Sequence, residues 1–113
     1  METIPLFKVH MPESVADPLL ETLFSGFIGQ GPKVEEYEAI LSKYFGNKNV
    51  VTLNSGTGAI QLALRLANVG VGDEVISTPM TCTATNMPIL AAGADIIWAD
   101  IDETTGLISP DSI

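Results

Sequence analysis

The chain has 113 residues, the size of one small domain or of a part of a larger one, and its 46% hydrophobic content excludes a disordered chain. The formal net charge of −9 argues against non-specific binding to nucleic acid or anionic membranes, and no stretch reaches the ~20 apolar residues of a membrane span. A single cysteine and a single histidine exclude an internal disulfide and leave no zinc site.

The first half of the sequence predicts two helices separated by a glycine-rich loop. Residues 14–25 carry an apolar stripe, with Ser14 as a candidate N-cap and Gly26 as a candidate C-cap. A second helix is predicted over residues 33–44, where one face is apolar and the other is charged, and Gly46 ends it.

Residues 50–64 predict a buried strand, a tight turn and the start of a helix. Ser55 or Thr57 can cap this helix, because a hydroxyl accepts a hydrogen bond from an unpaired N–H of the first turn. Gly56 and Gly58 keep side chains out of the turn, so another group can approach the backbone. Such a helix start suits a phosphate or carboxylate. The spacing matches neither a Walker A loop nor G-x-G-x-x-G, so an anion site and an ordinary connection fit these residues equally well.

The second half of the sequence continues the alternation of strands and helices. The predicted elements are a helix that ends near residue 68, a turn over 69–73, a strand over 74–77, a helix over 81–92 and a strand over 95–99. Pro88 interrupts the helical pattern, and Gly93 ends that helix. We expect Trp98 to pack between the sheet and a helix.

Alternating strands and helices are typical of βαβ units and therefore of a largely parallel sheet with helices on both faces. Three strands are too few for that architecture. The sequence therefore predicts the front part of a larger α/β domain over residues 1–113, with a helical segment over 1–47 and the start of the sheet over 48–113.

Six short motifs lie in a characteristic order along the chain. They are Gln30-Gly31-Pro32-x-Val34-x-x-Tyr37-Glu38, Asn54-Ser55-Gly56-Thr57-x-Ala59-x-x-Leu62-Ala63-Leu64, Gly72-Asp73-Glu74-Val75-Ile76, Thr81-x-x-Ala84-Thr85, Gly93-Ala94 and Asp100-Ile101-Asp102. Together they resemble the DegT/DnrJ/StrS-type aminotransferases, which are pyridoxal-phosphate enzymes that put amino groups onto keto sugars attached to nucleotides. The resemblance implies the N-terminal part of the large domain of the aspartate-aminotransferase fold, fold type I of the pyridoxal-phosphate enzymes. In that fold a mostly parallel sheet is flanked by helices.

The resemblance also implies roles for four residues. The turn of Ser55, Gly56 and Thr57 matches the family's binding site for the cofactor phosphate, with backbone N–H groups and a hydroxyl as donors. Cys82 stands where the family normally has an aromatic ring stacked on the pyridine ring of the cofactor. A thiol gives less contact than a ring, so cofactor binding is looser or a neighbour such as Met80 covers the ring. Alternatively, Cys82 is simply a small buried residue.

The resemblance implies a lysine that forms a Schiff base with the cofactor, and no lysine of this chain matches it. The lysines, all before the phosphate turn, are Lys8, Lys33, Lys43 and Lys48. We therefore assign no catalytic residue here and expect the chain alone to be inactive. Because its sheet lacks further strands, we also expect it to expose apolar helix faces and to aggregate. Two alternatives stay open: a pyridoxal-phosphate sugar dehydratase of the same family, and a non-enzymatic truncated product.

For the complete enzyme, the resemblance implies a nucleotide-sugar substrate, an amino donor such as glutamate, and a homodimer with shared active sites. No secretory signal is recognisable, so we expect a cytoplasmic protein. Asp100 and Asp102 lie two residues apart, and carboxylates so spaced in a turn are more often solvated or capping groups than metal ligands. We therefore predict no metal site, and a structural or surface role for His10.

Overall fold

The computed structural model describes residues 3–113, so the first two residues of the predicted helical segment lie outside the described residues. The chain divides into two compact units, Met1–Val51 and Thr52–Ile113. The elements are α1 (Ala16–Ser25), α2 (Pro32–Phe45), α3 (Gly56–Leu66), β1 (Glu74–Ser77), α4 (Thr83–Ala92) and β2 (Asp95–Trp98), with short 3-10 turns over Glu13–Val15 and Pro110–Ser112.

The first unit contains the two predicted helices, each ended by a glycine in the left-handed region. Gly26 has φ 83° and Gly46 has φ 63°, a conformation that glycine adopts without strain. The prediction that Ser14 caps α1 is wrong. The N–H of Val15 donates to the carbonyl of Pro12 at 3.1 Å, so a 3-10 turn precedes α1 and Ser14 lies inside it.

Neither α1 nor α2 contains a buried residue, and large apolar side chains on both helices are exposed. Phe24 of α1, for example, is 87% exposed. The expected exposure of apolar helix faces is therefore confirmed. Whether a chain with these faces aggregates stays a prediction.

The second unit is a βαβ arrangement in which α4 connects two parallel strands. Glu74 of β1 lies opposite Asp95 of β2, and the register continues to Ser77 opposite Trp98. Helix α4 packs against β2 and against α3. The small buried core consists of Pro88, Ile89, Ala94 and Ala99, with Ser77 as its buried polar residue. The parallel sheet with flanking helices confirms the predicted fold class.

Three sequence-based expectations about residues 50–113 are wrong. Residues 50–53 form no strand, because a strand needs a hydrogen-bonded neighbour and the sheet in residues 3–113 consists of β1 and β2 alone. Trp98 is 54% exposed rather than covered, because two strands and one crossover helix are too few to cover both sheet faces. Helix α4 also begins at Thr83, two residues later than predicted.

Candidate functional site

The turn before α3 is fixed by Ser55, which is the N-cap of that helix. Its backbone is extended, with φ −156° and ψ 152°, and its hydroxyl accepts a hydrogen bond from the N–H of Gly58 at 3.1 Å. The carbonyl of Ser55 accepts from the N–H of Ala59 at 3.1 Å, which closes the first helical turn. Of the two capping residues that the sequence allowed, the structure selects Ser55.

The N–H groups of Gly56 and Thr57 indicate what kind of ligand this turn can bind. Among the hydrogen bonds within residues 3–113, none has the N–H of Gly56 or of Thr57 as its donor. These N–H groups lie at the positive end of the dipole of an 11-residue helix, and the partly buried Thr57 adds a hydroxyl beside them. The turn therefore offers neutral donors to an anion such as a phosphate group.

The glycines of the turn differ in the space around them. A Cβ on Gly58 would lie 3.2 Å from the Ser55 hydroxyl oxygen and 3.7 Å from Asn54 Oδ1, so a larger residue would press on the capping hydroxyl. A Cβ on Gly56 would meet no protein atom within 4 Å. The space beside Gly56 is thus free of described protein atoms, as expected if a ligand approaches the backbone there.

Cys82 lies in a different turn, between β1 and α4. It is the N-cap of α4, with φ −61° and ψ 136°, and its thiol is exposed and makes no capping hydrogen bond. Met80, the alternative ring-covering residue, is 64% exposed. The structure brings Ser55, Gly56 and Thr57 together in one turn, and the role of Cys82 toward a cofactor stays a prediction.

One pocket of the second unit lies beside the turn before α3 and has Gly58 of that turn in its lining. It is an open groove of about 790 Å³ along α3 and the second half of α4, and its lining includes Gln61, Arg65 and Pro88. None of the four residues assigned to the cofactor lines it. The turn before α3, rather than this groove, contains the N–H groups of Gly56 and Thr57 and the Thr57 hydroxyl.

The carboxylates of Asp100 and Asp102 organise a turn near the end of the chain. Asp102 Oδ1 accepts from the N–H groups of Thr104 and Thr105 at 2.9 and 2.8 Å and from the Thr105 hydroxyl at 3.1 Å. The hydrogen bonds from Thr105, followed by that from Thr104, lower the pKa of Asp102. Asp102 is therefore one of the capping groups that the sequence allowed, whereas Asp100 Oδ1 accepts from the N–H of the adjacent Ile101 at 2.8 Å.

Residues 3–113 contain neither a membrane-spanning helix nor a cluster of metal ligands. No helix there is both long enough and apolar enough to pass through a membrane. No group of three or more histidine, cysteine, aspartate or glutamate side chains there is arranged to hold a metal ion. Residues 52–113 contain no lysine, and Arg65 is their one basic residue.

A hydrogen bond joins Ser77, at the end of β1, to Asn86 in α4, and it was not predicted from the sequence. The Ser77 hydroxyl donates to Asn86 Oδ1 at 2.6 Å. The sequence signal is an amide side chain inside a largely apolar helix, directly after the motif that ends at Thr85. A polar side chain on the inner face of a helix needs a hydrogen-bond partner, and the Ser77 hydroxyl supplies one to Asn86.

The βαβ unit, with a capped helix start at Ser55 before it, defines an α/β protein. The chain belongs to the DegT/DnrJ/EryC1/StrS aminotransferase family, whose model matches residues 10–113. This match confirms the resemblance carried by the six motifs, and the fold is the N-terminal portion of the fold type I pyridoxal-phosphate transferases.

Several relatives share this segment. The spore coat polysaccharide biosynthesis protein SpsC of Bacillus subtilis is 44% identical over 90 residues, which are 80% of this chain and 23% of SpsC. The 3-oxo-glucose-6-phosphate:glutamate aminotransferase of the same organism is 37% identical over 101 residues, which are 89% of this chain and 23% of that enzyme.

Solved structures agree with these matches. Spr1654 from Streptococcus pneumoniae, assigned as a sugar aminotransferase and solved in its PLP form, superimposes with a TM-score of 0.86 at 38% identity. That superposition covers 99% of this chain and 30% of Spr1654. The chain thus spans less than a third of the length of these relatives.

Proposed function

We propose that this chain is the phosphate-binding portion of a pyridoxal-phosphate-dependent sugar aminotransferase. The observation that carries the proposal is the turn of Ser55, Gly56 and Thr57 at the start of α3, with two hydroxyls and two N–H groups that donate to no residue among 3–113. Family membership supports it, and so does the PLP form of Spr1654, a relative with the same fold.

The residues present fit the phosphate end of the cofactor. The N–H groups of Gly56 and Thr57 and the Thr57 hydroxyl donate hydrogen bonds to phosphate oxygens, and the helix dipole stabilises the negative charge. Ser55 holds the turn in shape through its bond to Gly58. Cys82 packs on the pyridine ring in our proposal, where its thiol gives a smaller contact than an aromatic ring. When bound, pyridoxal phosphate supplies the electron sink needed to move an amino group.

The remaining parts of the active site belong to the rest of the full-length protein. Residues 52–113 contain no lysine that could hold the cofactor covalently, and the relatives are more than three times longer than this chain. We propose that the lysine and the acidic partner of the pyridine nitrogen lie outside this segment. We further propose a cytoplasmic homodimer with shared active sites, and that residues 1–113 form one part of a single domain.

We propose that the substrate is a keto sugar attached to a nucleotide and that glutamate is the amino donor. Glutamate appears in the name of the Bacillus subtilis relative, which supports this choice of donor. The same name gives a sugar phosphate as that enzyme's substrate, so a keto sugar phosphate without a nucleotide is the second candidate. SpsC, by its name, supports a role in polysaccharide synthesis.

The experiment uses the full-length protein, meaning the longest natural chain that contains this sequence. It is incubated with pyridoxal phosphate, glutamate and either a nucleotide-linked keto sugar or a keto sugar phosphate. We expect 2-oxoglutarate to appear together with a sugar that carries a new primary amine. Thr57→Val is the matched variant, because it removes the hydroxyl and keeps the shape of the side chain.

Loss of the Thr57 hydroxyl should weaken cofactor binding about 10-fold or more, since hydrogen bonds to charged groups contribute about 1.5–3 kcal/mol. If the wild type forms no amine with either substrate, the aminotransferase proposal is wrong. A sugar that loses water without gaining nitrogen would identify a dehydratase instead.

A further inference from the structure

The end of strand β1 is joined to helix α4 by a small polar network. Ser77, the last residue of β1, is only 9% exposed, and its hydroxyl donates to Asn86 Oδ1 at 2.6 Å. Asn86 Nδ2 donates in turn to the carbonyl of Thr78 at 3.2 Å. One amide of α4 therefore contacts the strand end at two points, once as an acceptor and once as a donor.

This network closes the five-residue connection over residues 78–82. Within the connection, the N–H of Met80 donates to Thr78 Oγ1 at 3.3 Å. At its far end the Thr81 hydroxyl donates to Thr85 Oγ1 at 3.2 Å, and the N–H of Thr85 donates to the carbonyl of Cys82 at 2.8 Å. Most of these residues are exposed, so polar contacts rather than apolar packing set the shape of the connection.

The connection lies at the carboxyl end of β1, and ligands of open α/β sheets bind outside the carboxyl ends of the strands. Cys82 is the last residue of the connection and the N-cap of α4, so any shift of the connection moves its thiol. The bonds made by Ser77 and Asn86 are partly buried and therefore stronger than exposed ones.

We propose that Ser77 and Asn86 are positioning residues that hold the 78–82 connection, and with it Cys82, against the cofactor ring. This inference rests on the proposed function. Neither side chain touches the reaction itself. Their effect is transmitted through the backbone of the connection.

The test uses two variants of the full-length protein that each remove one half of the network. Ser77→Ala removes the hydroxyl donor. Asn86→Asp keeps an acceptor for Ser77 but removes the donor to the Thr78 carbonyl. Met87→Ala is the matched control, because Met87 follows Asn86 in α4, is 51% exposed and lies outside the network. Ser77→Thr keeps the hydroxyl and should restore wild-type behaviour.

Two quantities are measured: hydrogen–deuterium exchange of residues 78–82 and the dissociation rate of pyridoxal phosphate. We expect Ser77→Ala and Asn86→Asp each to raise both by about 3- to 10-fold, the range for one lost hydrogen bond, while exchange in α3 stays unchanged. In a protein that already carries Asn86→Asp, the further change Cys82→Phe should not slow cofactor dissociation. The reason is that the connection no longer holds the phenylalanine ring in place.

The outcomes separate the two proposals. Faster exchange with unchanged cofactor dissociation would show a purely structural pair and overturn the positioning role. Variants that match Met87→Ala in both quantities would also overturn it. A wild-type protein that binds no pyridoxal phosphate would refute the proposed function, and the cofactor role of Cys82 with it, whatever the exchange data show. A variant that fails to fold is replaced by its partner variant, since each removes a different bond.

Discussion

Substitutions of Ser55, the N-cap of α3, can distinguish the contribution of the turn to folding stability from its role in anion binding. Ser55→Ala removes the acceptor for the N–H of Gly58, a single exposed hydrogen bond of 3.1 Å. Loss of an N-cap of this kind destabilises a protein by about 1 kcal/mol. Ser55→Asp keeps a capping oxygen of similar strength and adds a negative charge at the positive end of the helix dipole, so the free energy of unfolding should be maintained.

The order of the two variants should be reversed for cofactor affinity, which Ser55→Asp should lower more than Ser55→Ala. The carboxylate of Ser55→Asp competes for the N–H groups of the turn and repels the phosphate. Two like charges about 4 Å apart repel by about 1 kcal/mol in water, and a phosphate carries almost two charges, so binding should weaken by about 2 kcal/mol, or roughly 30-fold. Ser55→Ala adds no charge and should weaken binding less.

The assay measures the affinity of the full-length protein for pyridoxal phosphate by fluorescence titration, together with urea unfolding of each variant without cofactor. Pyridoxal, which lacks the phosphate, is the control ligand, and its affinity should be unaffected by Ser55→Asp. Equal affinities of Ser55→Asp and wild type for pyridoxal phosphate would refute the assignment of the turn. An unchanged stability of Ser55→Ala would show that the cap does not fix the turn.

Three further predictions follow from individual contacts. Cys82→Phe should slow cofactor dissociation about 2- to 12-fold by adding ring contact, measured by dilution into excess apo-acceptor protein; unchanged or faster dissociation would mean that residue 82 does not face the ring. Glu74→Gln should raise the free energy of unfolding by about 0.2–1 kcal/mol at low salt, because Glu74 lies opposite Asp95 in the parallel register, and a loss of stability in urea unfolding would contradict this. The lowered pKa of Asp102 means that its bonds to Thr105 contribute to stability above the ordinary pKa of 3.8 and are lost as the pH falls through the lowered value. The protection of the Thr104 and Thr105 amides, meaning exchange relative to the intrinsic rate at the same pH, should therefore fall as the pH drops through the lowered value, and Asp102→Ala should remove that fall; an unaltered pH dependence of protection in the variant would contradict the role of this carboxylate.

The sequence predicted best those helices that begin or end at a recognisable capping residue. Gly26, Gly46 and Gly93 each adopt the left-handed conformation at the end of a helix, where the sequence placed a C-cap. The sequence limited the cap of α3 to the hydroxyl of Ser55 or of Thr57, and the structure selects Ser55. Parallel pairing of the two strands followed from the helix between them.

Features that depend on distant partners were not predictable in the same way. Residues 50–53 have the composition of a strand, but pairing depends on a neighbour that residues 3–113 do not supply. The cover over Trp98 likewise depends on elements beyond its own strand. The Ser77–Asn86 contact joins residues nine positions apart across a connection whose course the sequence does not reveal.

The assignment of the phosphate turn is tested most directly by a crystal structure of the full-length protein with pyridoxal phosphate. We expect the phosphate oxygens to lie within hydrogen-bond distance of the N–H groups of Gly56 and Thr57 and of the Thr57 hydroxyl. A cofactor phosphate bound at any other part of the protein, with these donors left to water, would contradict the proposal.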